Sequence, residues 1–236
     1  MSHLADLQAF YSILAELGRR TGEARPLRSE GERRRWPRRG VYFFFEPHET
    51  RTTSGTGPRI VRVGTHALKV GGSATLSVRL NQHRGAIRTG GGNHRGSIFR
   101  LLVGLALSQR DASIAVATWG DKKIERKVAA PKEMQLEREV SQYIGAMPVL
   151  ALEVPDEPGP DSLRGYIERN AIALLSGFNS SEADKPSNHW LGYHCPRDRV
   201  RRSGLWNNNH VDETYDSQFL GIMEQLMLQQ ASFENE

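Results

Sequence analysis

Leu4, Leu7, Phe10, Tyr11, Leu14 and Leu17 recur at three- and four-residue spacing, which predicts an amphipathic helix over residues 3–18. Gly18 and the Arg-, Gly- and Pro-containing stretch behind it end that helix. The pattern then changes period. Gly40 opens the run Val41-Tyr42-Phe43-Phe44-Phe45, and Pro47 closes it, giving the composition of a buried strand. A polar loop follows to residue 58. Arg59-Ile60-Val61-Arg62-Val63 then mixes Arg with β-branched residues and stops at Gly64, as an antiparallel neighbour of the first strand would. Residues 73–84 carry Leu76 and Leu80 on one helical face and bring Arg79 and His83, four apart, onto another. The Gly-rich segment 90–96 reads as a loop, and Ser97 as the N-cap of a helix reaching about residue 108.

Further along, residues 113–119 predict an extra strand, 132–146 a helix, and 149–154 a strand closed by Pro155. Residues 162–176 read as a helix with Leu163, Ile167, Ala171, Leu174 and Leu175 inward. A last helix carries Phe219, Ile222, Met223 and Leu226. The order predicts an α/β chain of the α+β type: a small antiparallel three-stranded sheet flanked by helices, with helical elaborations at both ends. Three segments emerge from it: residues 1–39 with the first helix and a basic stretch, a core over 40–190, and an extension over 191–236 ending in an acidic amphipathic helix.

The 236 residues are ample to bury a core. There is no apolar run of membrane-spanning length and no secretory leader pattern, so a cytoplasmic protein without membrane association is expected. The single Cys195 excludes an internal disulfide and an all-cysteine zinc site. His189, His194 and Cys195 cluster loosely but lack a fourth ligand at regular spacing, which disfavours zinc.

Charge sharpens the picture. The net charge is +5, and its distribution is uneven: residues 19–39 hold nine Arg against three Glu, 79–100 hold five Arg and no acid, and 197–202 add four more Arg. The guanidinium fork pairs bidentately with phosphate, so a polyanion is the expected partner. The alternative is a solvated surface in an Arg-biased chain, since only six of the 32 basic residues are Lys.

The ordered set of motifs resembles the GIY-YIG nuclease family. Its first tripeptide stands here as Gly40-Val41-Tyr42, its second as Arg62-Val63-Gly64, its Arg-to-His helix motif as Arg79-Leu80-Asn81-Gln82-His83, and its acidic helix motif as Tyr166-Ile167-Glu168-Arg169-Asn170. Arg62 stands where the family has a second Tyr, the spacing from Gly64 to Arg79 is long, and about residues 110–145 form an insertion. The resemblance implies hydrolysis of DNA phosphodiester bonds. Tyr42 is then the base toward water, with Arg62 beside it favouring the phenolate, since a free phenol has a pKa of about 10. Arg79 holds the scissile phosphate, and His83 orients water or Tyr42. Glu168 is the metal ligand, and a single carboxylate suits Mg²⁺, with Mn²⁺ as the alternative. Arg84, His94 and Arg95 are assigned to the DNA backbone, and Asn188, preferred over Asn179, to the Asn that supports the site.

The absence of a separate DNA-binding module favours a stand-alone endonuclease of restriction or defence type. Two other classes fit the same residues: a catalytically inactive nucleic-acid-binding protein on a nuclease scaffold, and a nuclease subunit whose acidic C-terminal helix docks a protein partner or a second copy.

Overall fold

A computed structural model describes residues 2–29 and 35–230. Helix α1 (His3–Thr21) precedes a two-residue strand β1 (Arg25–Pro26), and β2 (Gly40–Thr50) and β3 (Pro58–Gly64) follow as a hairpin. Next come α2 (Leu76–Arg84), α3 (Ile98–Arg110), α4 (Arg126–Gly145), β4 (Pro148–Glu153), α5 (Leu163–Leu175), α6 (Asp198–Ser203) and α7 (Gln218–Gln229). The strands form one antiparallel sheet in the order β1-β4-β2-β3.

Period-two alternation in β2 explains the aromatic run. Val41, Phe43 and Phe45 point to one face, where α1, α5 and α7 cover them. Tyr42 and Phe44 point to the other, against α2, α3, α4 and the chain around Trp190 and Trp206. Both faces are therefore buried, giving three layers with the sheet in the middle. Helices α1 and α7, from the two ends of the chain, share one hydrophobic core with α5.

A bulge in the hairpin sets the direction of Arg62. Phe44 pairs with Arg62 but Phe45 pairs with Ile60, leaving Val61 extra. With that residue inserted, Val61 packs in the Tyr42 layer and Arg62 lies over the Phe99 ring on the same side, while Ile60 and Val63 face α1.

Most elements fall where the sequence puts them, with Ser2, Thr75, Ser97 and Ser162 as side-chain N-caps. Two expectations are corrected. The sheet has four strands rather than three, because Arg25–Pro26 adds to β4. Residues 113–119 are not a strand: the Asp111 carboxylate accepts the Ser113 amide and starts a 3₁₀ turn over Ala112–Ile114. Trp119 then packs flat on α3 at Gly104, where any side chain would overlap its ring. Among the described residues no helix is long and apolar enough to cross a membrane.

Candidate active site

Gly40 and Gly64 close one end of the hairpin. A Cβ at Gly40 would strike the Leu152 carbonyl, and one at Gly64 would overlap the phenol of Tyr42, its cross-strand partner. The two glycines thus let three strands close around the Tyr42 ring, which is 0% exposed.

The Tyr42 hydroxyl lies 2.9 Å from His83 Nε2, and His83 Nδ1 lies 2.8 Å from Ser97 Oγ. Ser97 also accepts the Arg100 amide as the N-cap of α3, so one hydroxyl anchors a helix and a histidine together. His83 is fully buried, ringed by Tyr42, Phe44 and Phe99. Burial, reinforced by the charges of Arg79, Arg62 and Arg100, holds its pKa well below the usual imidazole value. His83 is a neutral base or acceptor here, attached directly to a phenol.

Arg62 is 5% exposed. Its Nη1 donates to the Trp206 carbonyl, and its guanidinium carbon sits 5.3 Å above the Phe99 ring. Nε is buried without a partner, and no carboxylate forms an ion pair with it among the described residues. A buried cation with one carbonyl and one ring for company is costly to keep.

Arg79 reaches out of α2, its Nη1 donating to Gln82 Oε1 and the Gly96 carbonyl, both at 3.0 Å. Glu168 approaches from α5 and accepts the Thr65 amide at 3.2 Å, directly after Gly64. Burial raises the Glu168 pKa, while Arg62, His210, the Thr65 amide and Arg79 oppose the rise. Arg62 and Arg79 thus both act on His83 and on Glu168, which makes the four a single electrostatic unit. His66, next along, is 5% exposed and pushed down to about 4 by burial and by Arg164.

A family model for the GIY-YIG domain matches residues 1–233. The chain belongs to the GIY-YIG family. Neither a curated protein nor a solved structure matches it. GIY-YIG domains are nuclease domains, which supports a nuclease at the level of the family. One half-buried carboxylate, with Oε2 free of hydrogen bonds, fits a cation that keeps most of its shell as water, and no group of three potential ligands occurs among the described residues.

Other expected site residues are placed elsewhere. His94 is 2% exposed, stacked 3.9 Å from Trp119, with Nδ1 against Glu137 and Nε2 accepting the Gly120 amide. No atom of it is left for a DNA backbone; it ties the insertion to the GIY-YIG core. Arg95 is occupied likewise by both oxygens of Glu133. Asn188 is exposed beside Ser187, which binds Glu49 at the far end of the hairpin, and Asn179 donates to the Asp212 carbonyl. Arg84 stays available: it is half-buried on α2 and has no carboxylate partner among the described residues. The basic cluster at 197–202 is largely engaged in ion pairs, Arg199 with Asp212 and both Arg201 and Arg202 with Asp198. Part of the 19–39 cluster lies outside the described residues. The apolar side of α7 packs inside the fold on α1 and β4, through Phe219, Leu220, Met223 and Met227.

The residue that supports the GIY-YIG hairpin is Asn207. Its side chain accepts the Val63 amide at 3.2 Å and donates to the Val63 carbonyl at 2.9 Å. With the Trp206 amide on the Val61 carbonyl and Arg59 on the Gly204 carbonyl, residues 204–207 seal the outer edge of β3. Sequence pattern favours a packed turn here over a base-reading loop; its clue is three consecutive Asn behind a Trp.

Proposed function

We propose that this GIY-YIG protein is a metal-dependent endonuclease that hydrolyses DNA phosphodiester bonds, of restriction or defence type. The observation that carries the reading is the 2.9 Å contact between the Tyr42 hydroxyl and a fully buried, neutral His83. With Nδ1–H directed to Ser97, His83 Nε2 is free to take the Tyr42 proton as the phenol takes one from water. Arg79 faces the scissile phosphate, and Arg62 adds a fixed positive charge behind it for the developing phosphorane. Glu168 would hold Mg²⁺ or Mn²⁺, which supplies charge neutralisation at the phosphate and the leaving oxygen. Arg84 and the exposed Arg88 extend the cationic surface from α2 for the DNA backbone.

One observation favours a second reading. Tyr42 and His83 present no surface to solvent, so the pair meets water only after overlying groups move. A scaffold that binds DNA without cutting it would show the same burial.

Supercoiled plasmid and phage DNA, incubated with purified protein and Mg²⁺ or Mn²⁺ beside Glu168→Ala and Arg79→Ala, decide between them. Cutting by the wild type alone supports the nuclease, and discrete fragments support a sequence-specific enzyme of restriction type. Salt-dependent binding with no cutting supports the scaffold, and cutting that survives both substitutions rejects the site.

A further inference from the structure

Glu168 is not alone on its side of the site. Thr65, whose amide it accepts, lies two residues beyond the Val63 that Asn207 clamps. On α5, the residues around Glu168 hold the chain that continues from Asn207. Arg169 Nε donates to Glu213 Oε2 at 2.6 Å, Tyr166 donates its hydroxyl to Asp216 at 2.8 Å, and Asn170 accepts the Asp216 amide at 2.7 Å. Residues 207–213 therefore run from the end of β3 to α5, and within that run His210 is close enough for its charge to act on Glu168. His210 stands midway along that run.

Two features single His210 out. Its φ is +64°, a left-handed backbone that a histidine adopts at some cost. Its Nδ1 lies 2.7 Å from Glu213 Oε1, while Nε2 makes no hydrogen bond among the described residues and the side chain is 34% exposed. A carboxylate on one ring nitrogen fixes the tautomer that leaves the other nitrogen's lone pair outward, the arrangement that serves an imidazole ligand. Glu213 is committed to that role, with Oε1 on His210 and Oε2 on Arg169.

Resting on the nuclease reading above, we infer that His210 Nε2 is a second protein ligand, with Glu168, for the divalent cation, and that Glu213 is its positioning residue. The consequence is a metal preference. Imidazole is the ligand of Fe²⁺, Ni²⁺, Cu²⁺ and Zn²⁺ above all, and Mn²⁺, an oxygen-preferring ion at the start of that series, accepts one nitrogen donor more readily than Mg²⁺, which keeps to oxygen and water. A site with one carboxylate and one oriented imidazole should therefore bind Mn²⁺ more tightly than Mg²⁺.

The test is calorimetric titration of the full chain, without DNA, with MnCl₂ and separately with MgCl₂. His210→Asn is the main variant, since Asn tolerates left-handed φ; Glu213→Gln is the second, and thermal melting without metal confirms that each folds. The expected result is Mn²⁺ affinity weakened on the order of 10–100-fold by His210→Asn, less by Glu213→Gln, with Mg²⁺ affinity changed only severalfold. Glu168→Ala should abolish both. Mn²⁺ titrations of His210→Asn that superimpose on wild type overturn the inference and leave the nuclease reading standing, provided Glu168→Ala still loses metal. Failure of the wild type to bind either cation, or binding that survives Glu168→Ala, removes the cation site itself and the inference with it.

Discussion

The two ends of the β2–β3 hairpin handle buried polar groups in opposite ways. At the far end the buried carboxylates of Glu46, Glu49 and Asp184 are all matched, and only Arg51 Nε lacks a hydrogen bond among the described residues there. Arg59 pairs with Glu49 at 2.8 Å, Glu49 also takes the Ser187 hydroxyl and amide, and Asp184 Oδ1 accepts three successive amides of Thr52, Thr53 and Ser54. Glu46 accepts the indoles of Trp190 and Trp206 at 3.1 and 3.0 Å and the hydroxyl of Tyr143. At the Gly40 and Gly64 end, Arg62 has a buried Nε with no partner among the described residues, and the His66 ring has at most a weak contact with the Arg38 backbone. Matched groups hold a fold together; unmatched ones store interaction energy for something that is not part of the chain.

That contrast makes the two ends separable by mutation. The largest effect is expected from Arg79→Ala: cleavage falls by about 10³-fold, while the melting temperature barely moves, because its partners Gln82 and the Gly96 carbonyl are exposed. A matched drop in melting temperature would show that Arg79 belongs with the structural end. Glu46→Ala should do the reverse, costing about 2–4 kcal/mol in urea unfolding as two indoles and a phenol lose their acceptor. Glu46→Gln should recover part of that stability, because its carbonyl still accepts. Arg62→Met separates the terms at a single residue: cleavage falls about 10²-fold while stability changes by no more than about 1 kcal/mol, since removing a buried charge without an ion-pair partner offsets what Glu168 and the Trp206 carbonyl lose. A larger loss of stability would make Arg62 structural.

The smallest effect is one of pH. His66 and His83 have lowered pKa values in the folded protein, so below about pH 6.5 the unfolded chain binds protons that the native chain does not. Stability is then full above that pH and falls as pH drops from 6.5 toward about 4, the value to which His66 is pushed. His66→Gln should reduce the slope of denaturation midpoints across that window and leave the share due to His83; an unchanged slope would mean that His66 takes up protons alike in the native and unfolded chains.

The end that holds the proposed site was the more legible one. Gly40-Val41-Tyr42, Arg62-Val63-Gly64, Arg79, His83 and Glu168 stand in the order of the family's elements, and the structure brings all of them to one end of the sheet. What escaped depended on contacts distant in sequence. His94 reads as a loop residue because Gly90, Gly91, Gly92 and Gly96 surround it, yet Trp119 and Glu137 bury it from positions 25 and 43 residues away. Arg25–Pro26 is too short to show any period. The bulge at Val61 leaves no mark in a run of β-branched residues, although it decides which way Arg62 points. Asn207 and His210 have no local motif at all; their roles come from Val63 and Glu213.

The seal along β3 has a consequence for the life of the chain. Arg62 is anchored by the Trp206 carbonyl, the hairpin edge by Asn207, and the neighbourhood of Glu168 by residues 213–216. All of these are translated after the four strands and after the helices that carry Arg79, His83 and Glu168. A growing polypeptide can therefore assemble its sheet while the proposed nuclease site is still open at one edge, and that site closes only when residues 204–216 drop into place.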